Sequence, residues 1–318
     1  MKNYDVVVIG GGQSALACGY FLRREALSYI ILDDQDHAGG AWLHGWDSLS
    51  LFSPAQFSSL PGFLMPDSVG KFPSRTETIQ YLEAYEKKYG IPVLRSTKVI
   101  TVENDINGFL VHTSNGDYTA SAIISATGTW SSPFIPQVDG IERFAGIQIH
   151  SAQYKEPLIF SNKKVLIVGG GNSGAQLLAE ISTIAKTAWS TLSEPNFLPD
   201  DVDGRVLFDT ATAVYNAQKE GRKIDSNTYN LSSIVMVPPV VDARNRNVLH
   251  SKGAIQSIKP NGVVWESGEE EDFDAIVWCT GFRYATAHLD TLGIRGNDTK
   301  IETAGTKSKI PGLWLVGY

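Results

Sequence analysis

A glycine-rich turn near the start of the chain has residue types suited to binding a dinucleotide. A GxGxxA sequence beginning at Gly10 follows the apolar run 6–9 and precedes an amphipathic segment. In this pattern the first glycine permits a tight turn, the second lets the backbone approach a pyrophosphate, and the small third residue lets helix and strand pack closely. The amides at the helix N-terminus then attract phosphate. The residues predicted to contact the nucleotide here are Gly10, Gly12, Gln13, Ser14 and Ala15.

The same arrangement recurs in the middle of the chain. A GxGxxG sequence beginning at Gly169 follows the apolar run 165–168. Polar side chains after its second glycine could cap the helix or donate to a phosphate. The residues predicted to contact a second nucleotide are Gly169, Gly171, Asn172, Ser173 and Gly174.

The residues after the next strand of each motif indicate which ribose is bound. Asp33 follows the first unit's second strand, where a carboxylate accepts hydrogen bonds from ribose hydroxyls. At the corresponding place in the second motif stand Leu192, Ser193 and Glu194, with no arginine for a 2′-phosphate. We therefore expect Ser193 to contact the nucleotide and expect weak discrimination between NADPH and NADH.

The elements that position these turns read as strand, helix, strand in both cases. Two such units predict an α/β fold with two Rossmann-like dinucleotide-binding domains. Between them, a helix is predicted over 76–90, with Thr76 as N-cap and Gly90 as its end. Hairpins are predicted at 114–118 and at Asn261–Gly262, and the acidic run 268–274 reads as a solvated turn.

Composition excludes several classes of protein. The chain has 318 residues, a net charge of −7 and a pI near 5.4, which disfavours binding to nucleic acid or to an anionic membrane. No apolar run is long enough to span a bilayer, and the first strand begins too early for a signal peptide. Two distant cysteines, Cys18 and Cys279, indicate a reducing cytoplasm and disfavour a flavin disulfide reductase. Six scattered histidines predict no metal site.

A short stretch at 144–154, FAGIQIHSAQY, matches neither the strand period nor a helical stripe. The stretch fits the pattern FxGxxxHxxx(Y/F) through Phe144, Gly146, His150 and Tyr154. With this pattern, the chain resembles class B flavin-dependent monooxygenases of the flavin-containing monooxygenase type. Within this type, it more closely resembles the small bacterial members that accept both nicotinamide cofactors. Baeyer–Villiger monooxygenases carry a related pattern that ends in tryptophan. Further marks of the family are GGAW at 39–42, SATG at 125–128 and CTGF at 279–282.

The resemblance implies FAD in the first domain and NADPH or NADH in the second. The FAD domain would comprise 1–130 and 281–318, and the inserted NAD(P)H domain 131–280, with a short helical insertion at about 195–250. A linker rich in serine and proline at 131–136 fits this division. The resemblance is compatible with a homodimer, which the residues themselves do not determine.

The resemblance also implies further site residues. Phe52 stands where larger relatives place an asparagine near the reactive edge of the flavin, which suggests a more permissive site. His150 is expected either to organise the nucleotide site or only to satisfy a backbone group. Trp42 and Trp46 would pack by the isoalloxazine or belong to the core, and Arg75 would face a phosphate or pair with Glu77. The residues assigned to catalysis are Phe52, His150 and Tyr154, and the further cofactor contacts are Gly40, Ala41, Trp42, Phe52, Ser53, Val99, Thr127, Gly128, Thr280 and Gly281.

The implied reaction uses NAD(P)H and molecular oxygen. Reduced flavin would form a C4a-(hydro)peroxyflavin that oxygenates small molecules: sulfides to sulfoxides, amines to N-oxides, and also ketones. A Baeyer–Villiger monooxygenase is the nearest alternative, and a non-catalytic NAD(P)-binding sensor is an alternative of another class. In such folds the last strand leads to Gly-Asp and a helix aimed at the flavin, whereas this sequence stops at Tyr318. We therefore expect this sequence to retain FAD more weakly.

Overall fold

The computed structural model describes residues 2–222, 233–295 and 301–318, and these form two compact units. The first unit comprises Met1–His44, Ser58–Ser132 and Phe282–Tyr318, and the second comprises Gly45–Phe57 and Pro133–Gly281. Residues 45–57, which the prediction placed in the FAD domain, group with the second unit.

The elements follow one another in this order. As far as residue 125 they are β1 (Lys2–Ile9), α1 (Gln13–Leu22), β2 (Tyr29–Leu32), α2 (Arg75–Tyr89), β3 (Val93–Leu94), β4 (Val99–Asp105), β5 (Gly108–Thr113) and β6 (Gly116–Ser125). Beyond it are β7 (Ile147–His150), β8 (Lys164–Val168), α3 (Asn172–Ile181), β9 (Lys186–Ser190), α4 (Arg205–Lys219), α5 (Pro238–Asn245), β10 (Ile255–Lys259), β11 (Gly262–Trp265), β12 (Glu270–Asp272), β13 (Ala275–Trp278), β14 (Thr303–Ala304), β15 (Lys307–Ser308) and β16 (Leu313–Leu315).

The first unit is built on a mixed sheet in the order β14-β15-β16-β6-β1-β2-β3, with β4 and β5 added as a hairpin on β6. β1 lies parallel to both β2 and β6, with Val8 beside Ile31 and Ile124. The end of β1 is buried on both faces, because the apolar run 6–9 has no polar side to turn towards water. The carboxyl ends of β1, β2 and β6 therefore meet at one edge.

The second unit contains a parallel sheet in the order β7-β13-β8-β9 and a separate antiparallel sheet of β10, β11 and β12. β13 is flanked by β7 and β8, and every residue of β13 is buried. The core of this unit joins the two sheets through Trp265, Phe273 and Trp278. The α/β fold, with parallel strands at the centre of two Rossmann-like units, confirms the predicted fold class.

The N-cap of helix α2 lies two residues before the predicted cap. Ser74 is the N-cap: its hydroxyl accepts from the Glu77 N–H, and the Glu77 carboxylate accepts from the Ser74 N–H. Thr76 lies inside the helix, so the prediction of a Thr76 cap is wrong. The helix ends at Gly90, which has a left-handed backbone (φ 56°), as predicted.

One of the two predicted hairpin turns lies at the expected residues, and the other is shifted by one residue. The turn after Thr113, which pairs with Gly116, lies where it was predicted. In the next hairpin Lys259 pairs with Gly262, so the loop is Pro260–Asn261 rather than Asn261–Gly262. The acidic run 268–274 contains β12 instead of being only a solvated turn, because its backbone completes the antiparallel sheet.

The predicted insertion at about 195–250 contains two helices in its described part. α4 has 15 residues and α5 has 8, so α4 is longer than the short helices expected. In the described ranges 2–222, 233–295 and 301–318, no helix is both long and apolar enough to cross a membrane.

Candidate functional site

The first glycine turn lies at the edge of the first unit's sheet where the strands end. A side chain at Gly10 (φ 97°) would sit 2.7 Å from the Ala126 carbonyl oxygen, and one at Gly40 (φ 54°) would sit 2.7 Å from the Gly12 Cα. Only glycine allows such backbone approach. Gly12 is the N-cap of α1, and Ala15 is fully buried at the helix–strand contact. The turn thus leaves backbone amides and a helix N-terminus open to a ligand.

A cavity of about 680 Å³ opens beside this turn, within the first unit. Its lining includes six residues predicted from sequence to bind cofactor: Gly10, Asp33, Gly40, Ala41, Val99 and Thr127. Sequence reasoning missed others, including Gly11, Gln35, Lys98 and His288. Gly11 and Gln35 could have been found, because they adjoin the glycine turn and Asp33, whereas nothing local marks Lys98 or His288.

The remaining predicted residues of the first unit lie near this cavity without lining it. Gln13 and Ser14 are in the first turn of α1, and Trp42 is half-buried in a 3-10 helix at Gly40–His44. Gly128 has a left-handed backbone (φ 61°), and its carbonyl accepts from the Ala285 N–H at 2.9 Å.

Asp33 is held by two different donors at the rim of the cavity. It is 3% exposed; its Oδ1 accepts from the Gly11 N–H at 3.0 Å, and its Oδ2 pairs with Arg95. Arg95 also pairs with Glu86 of α2. Burial raises the pKa of Asp33, and the Arg95 guanidinium opposes that rise. The sequence indicated Asp33 but not Arg95, since their contact spans 62 residues.

A polar network includes two residues of the cavity lining, Thr127 and His288. His288 Nε2 lies 3.0 Å from Ser125 Oγ, which is 2.6 Å from the Tyr318 hydroxyl. The Thr127 hydroxyl donates to the Ala285 carbonyl at 2.7 Å. Burial lowers the pKa of His288 to about 4, so the imidazole is neutral near pH 7.

The second glycine turn repeats the geometry of the first in the second unit. A side chain at Gly174 would lie 2.0 Å from the Gly169 carbonyl oxygen. Helix α3 and the end of strand β8 therefore pack so closely that only glycine fits at position 174. Trp189 Nε1 donates to the same carbonyl at 2.9 Å. Gly171 is the N-cap of α3, and a side chain there would meet none of the described residues within 4 Å, so this end of the helix is open.

Asn172 does not cap the helix. Its Oδ1 accepts from the Val235 N–H at 2.8 Å, and its Nδ2 donates to the Ser233 carbonyl at 3.4 Å. The side chain therefore fixes the segment before α5, which the sequence could not show because the partners are about 60 residues away. Ser173 is half-buried in the first turn of α3.

The residues after β9 form an exposed tip. Leu192 is 97% exposed, and Ser193 and Glu194 are also exposed. The Thr191 hydroxyl donates to the Ser193 carbonyl at 2.7 Å, which orders the tip. Thr191 also hydrogen-bonds to the Ser251 hydroxyl, which brings the next residue, Lys252, near the tip. The Lys252 ammonium group lies 2.7 Å from the Glu271 carboxylate.

In the stretch 144–154, packing explains the residue type at each position of the family pattern. Phe144 is buried in the core of the second unit. A side chain at Gly146 would lie 2.5 Å from the Asp274 carbonyl oxygen and 2.6 Å from the Phe144 ring, so the ring packs on a residue without a side chain. His150 ends β7, and Tyr154 follows one turn later with no exposed surface.

His150 joins two backbone segments through both ring nitrogens. It is 1% exposed; Nε2 donates to the Gly281 carbonyl at 3.0 Å, and Nδ1 accepts from the Ala152 N–H at 3.1 Å. Burial lowers its pKa, which favours the neutral form of the ring. The Gly281 carbonyl also accepts from the Phe134 N–H, and the Thr280 hydroxyl donates to the Phe134 carbonyl. His150, Thr280 and Gly281 thus fix the crossing between the two ends of the inserted segment.

Tyr154 anchors residues 45–57. Its ring stacks on Phe160 and meets Trp46 edge-on, with centroids 6.2 and 6.4 Å apart. Among the described residues its buried hydroxyl makes no hydrogen bond, although Glu180 lies close enough to add to the effect of burial in raising its pKa. Glu180 accepts from the Ser48 hydroxyl at 2.9 Å. Trp46 is 5% exposed and belongs to this core.

The segment 45–57 carries the predicted Phe52 and Ser53. Phe52 stacks on Phe208 of α4 at 5.9 Å, and its carbonyl accepts from the Gly204 N–H at 2.7 Å. A side chain at Gly204 would lie 1.8 Å from the Phe52 ring. Ser53 is 3% exposed. Phe52 therefore holds the start of α4 in place within the second unit.

Arg75 has a role that neither expectation foresaw. Its guanidinium donates to the Trp42 carbonyl at 2.8 Å and the Leu43 carbonyl at 2.7 Å. Glu77 is engaged by Ser74 and by the Val69 N–H. Arg75 thus fixes the backbone at the end of the GGAW stretch.

The described residues contain no cluster of three or more His, Cys, Asp or Glu side chains able to hold a metal ion. Cys18 and Cys279 are both free, and burial raises the pKa of each thiol. The chain therefore offers backbone amides, hydroxyls and one buried carboxylate at a glycine cradle. That donor set fits a dinucleotide in the first unit, and the second glycine turn provides the same cradle in the second unit.

Comparisons with known proteins agree with this geometry. A solved structure titled flavin-containing monooxygenase from Stenotrophomonas maltophilia is 48% identical, covers all of this chain and 91% of its own, and superposes with a TM-score of 0.91. The uncharacterized oxidoreductase CzcO of Bacillus subtilis is 30% identical over 99% of this chain and 91% of its own. The probable indole-3-pyruvate monooxygenase YUCCA4 of Arabidopsis thaliana is 27% identical over 87% of this chain and 75% of its own.

A family model, described as pyridine nucleotide-disulphide oxidoreductase, matches residues 7–317. The match includes both glycine turns and the stretch 144–154, so the resemblance found in the sequence is confirmed. The chain belongs to the pyridine nucleotide-disulphide oxidoreductase family and is a monooxygenase of the flavin-containing type that uses FAD and NAD(P)H.

Proposed function

We propose that this flavin monooxygenase oxygenates small molecules with a soft nucleophilic atom, turning sulfides into sulfoxides and amines into N-oxides, with ketones as additional substrates. One oxygen atom of O₂ enters the substrate; the other leaves as water, with two electrons from NAD(P)H and one proton. The observation that carries the proposal is the pair of glycine cradles, each at the carboxyl ends of parallel strands.

In this proposal the first unit binds FAD and the second binds NAD(P)H. When bound, FAD supplies the redox chemistry, accepting hydride from the nicotinamide and activating oxygen. Gly10, Gly12 and the start of α1 would hold the pyrophosphate, and Asp33 would accept from a ribose hydroxyl. Gly169, Gly171 and the start of α3 would hold the nicotinamide nucleotide. Phe52, His150 and Tyr154 would position the segments on which they lie.

The contacts of the described side chains support the proposed substrate class. The two ring nitrogens of His150 already bond to backbone, and the described residues contain no metal-binding cluster. We therefore assign His150 no proton-transfer role. A sulfide or tertiary amine attacks activated oxygen with a lone pair, so no proton needs to be removed from the substrate.

The test is product analysis with an aryl methyl sulfide and a cyclic ketone, each at equal concentration with NADPH, oxygen and FAD-loaded protein. We expect sulfoxide to form faster than lactone, with oxygen uptake matching sulfoxide. Faster lactone formation would favour a Baeyer–Villiger monooxygenase. Hydrogen peroxide without product would indicate an oxidase, and nucleotide binding without flavin or NADPH oxidation would indicate a sensor.

We further propose that NADH is accepted alongside NADPH. The exposed tip after β9 presents Ser193 and Glu194, and the ammonium group of nearby Lys252 is paired with Glu271. Without an arginine at the tip, a 2′-phosphate gains little. We expect kcat/KM values for NADPH and NADH within roughly tenfold of each other, a difference of about 1.4 kcal/mol. Steady-state kinetics on FAD-loaded protein measures this, and a strong preference for NADPH would contradict it.

A further inference from the structure

Asp33 belongs to a series of ion pairs that runs from Asp33 through Arg95 to Glu86. Arg95 and Glu86 were not assigned to either cofactor above. Arg95, just after β3, donates from one guanidinium nitrogen to Asp33 and from another to Glu86 of α2. The Arg95 side chain is 17% exposed and that of Asp33 4%. Arg95 and Glu86 lie outside the cavity lining, whereas Asp33 and Gly11 are part of it.

The contacts with Gly11 and Arg95 give the Asp33 carboxylate a defined orientation. One carboxylate oxygen accepts from the Gly11 N–H in the glycine turn, and the other faces Arg95. A side chain on Gly11 would lie 2.5 Å from Asp33 Oδ2 and 2.8 Å from the Arg95 guanidinium, so glycine turn, carboxylate and guanidinium are mutually packed. Each carboxylate oxygen has a second lone pair, which leaves capacity for a ribose hydroxyl.

Burial alone would work against this arrangement. A carboxylate removed from water is driven towards its neutral form, and here the pKa of Asp33 is raised by burial, with Asp34 adding to the rise. Arg95 is the largest opposing influence, followed by the Gly11 N–H. Glu83, on the same helix as Glu86, is a further charged group and raises the pKa of Glu86, with burial as the larger cause. A neutral Asp33 would be a poorer acceptor for a ribose hydroxyl.

We propose that Arg95 is a positioning residue for FAD: it keeps the Asp33 carboxylate charged and aimed at the ribose, while Glu86 only holds Arg95. The inference rests on the proposed placement of FAD in the first unit. It extends the cofactor site by a residue that does not touch the cavity.

The experiment measures FAD binding to apoprotein by quenching of flavin fluorescence, from about pH 5 to about pH 9. Binding by the unaltered chain is measured first, because its absence would refute the proposed function itself. In Arg95→Met we expect FAD to bind at least roughly tenfold more weakly at pH 7, with affinity recovering as pH rises. The sign follows because loss of the guanidinium raises the Asp33 pKa, so the charged acceptor forms only at higher pH.

Glu86→Gln is the matched control, because it breaks an ion pair in the same chain but leaves Arg95 on Asp33. We expect its Kd for FAD to stay within roughly twofold of the unaltered value, with the same pH profile. Arg244→Met, which removes an exposed pair with Asp200 in the second unit, should leave FAD binding unchanged. Equal weakening in Arg95→Met and Glu86→Gln would overturn the proposal, as would an Arg95→Met loss that does not vary with pH.

A double substitution keeps the test decisive if Arg95→Met does not fold. Asp33→Asn removes the buried charge, so adding Arg95→Met to it should cost no further FAD affinity. A further loss in the double variant would show that Arg95 acts on FAD other than through Asp33, and would refute the proposal. Unchanged FAD binding in Asp33→Asn alone would refute it equally.

Discussion

At the scale of single residues, the marked positions of 144–154 act through packing as much as through polar contacts. His150 uses both ring nitrogens on backbone groups, while Tyr154 buries its hydroxyl without a hydrogen bond among the described residues. The aromatic ring of Tyr154 contributes the contacts with Trp46 and Phe160. A phenylalanine would keep both contacts.

We therefore predict that Tyr154→Phe is tolerated. The hydroxyl makes no well-formed hydrogen bond, and Glu180 beside it keeps the bond from Ser48. Removing it relieves a desolvation cost, so the free energy of unfolding should stay unchanged or rise by up to about 1 kcal/mol. Tyr85→Phe is the matched control, because Tyr85 is also fully buried and its hydroxyl donates to the Pro61 carbonyl at 2.7 Å. That variant should lose about 1 kcal/mol. Urea unfolding compares the two, and an equal loss in both would contradict the prediction.

At the scale of elements, α2 joins several parts of the first unit. Its tyrosines 81, 85 and 89 each donate a hydroxyl to a carbonyl of the loop 61–63, and Glu86 reaches Arg95. Its N-terminal Arg75 supports the carbonyls of Trp42 and Leu43. The start of this helix therefore matters for the cavity as well as for the helix.

The N-cap of α2 gives a prediction that separates the structure from local sequence reading. Ser74→Ala removes half of the capping box and should lower the free energy of unfolding by about 1 kcal/mol. Thr76→Ala, at the position that the sequence favoured, should change it by less than about 0.5 kcal/mol, because Thr76 is exposed within the helix. Thermal unfolding of both variants measures this. A larger loss for Thr76→Ala would restore the original cap assignment.

At the scale of the whole molecule, cofactor binding should contribute to stability. The cavity of about 680 Å³ beside the first glycine turn is lined by groups that fit a dinucleotide, and a ligand that binds only the folded chain shifts the unfolding equilibrium. The net charge of −7 also makes binding of an anionic cofactor depend on local amides and dipoles rather than on the overall field.

We predict that FAD at a hundredfold excess over its Kd raises the free energy of unfolding by about 2.7 kcal/mol. FMN lacks the adenosine half whose ribose Asp33 would bind, so at the same concentration it should stabilise the chain clearly less. Thermal unfolding of the apoprotein with each flavin measures the difference. Equal stabilisation by FMN would mean that the adenosine half makes no use of Asp33 and the first glycine turn.

The sequence by itself determined the features that depend on a few neighbouring residues. Both glycine turns, the end of α2 at Gly90 and the hairpin after Thr113 were predicted, because tight turns and helix ends need particular backbone angles. The α/β class followed from apolar strands next to these turns. The resemblance to the family came from the same local motifs.

Only the tertiary structure decided how distant residues meet. The chain from Asp33 through Arg95 to Glu86, the Asn172 contacts before α5 and the placement of 45–57 with the second unit all join residues far apart in sequence. Such contacts depend on which strands pair and which helix faces pack. They leave no periodic signal in the residues themselves, whereas a turn or a cap does. For this reason Arg95 escaped sequence reasoning, although Asp33 did not.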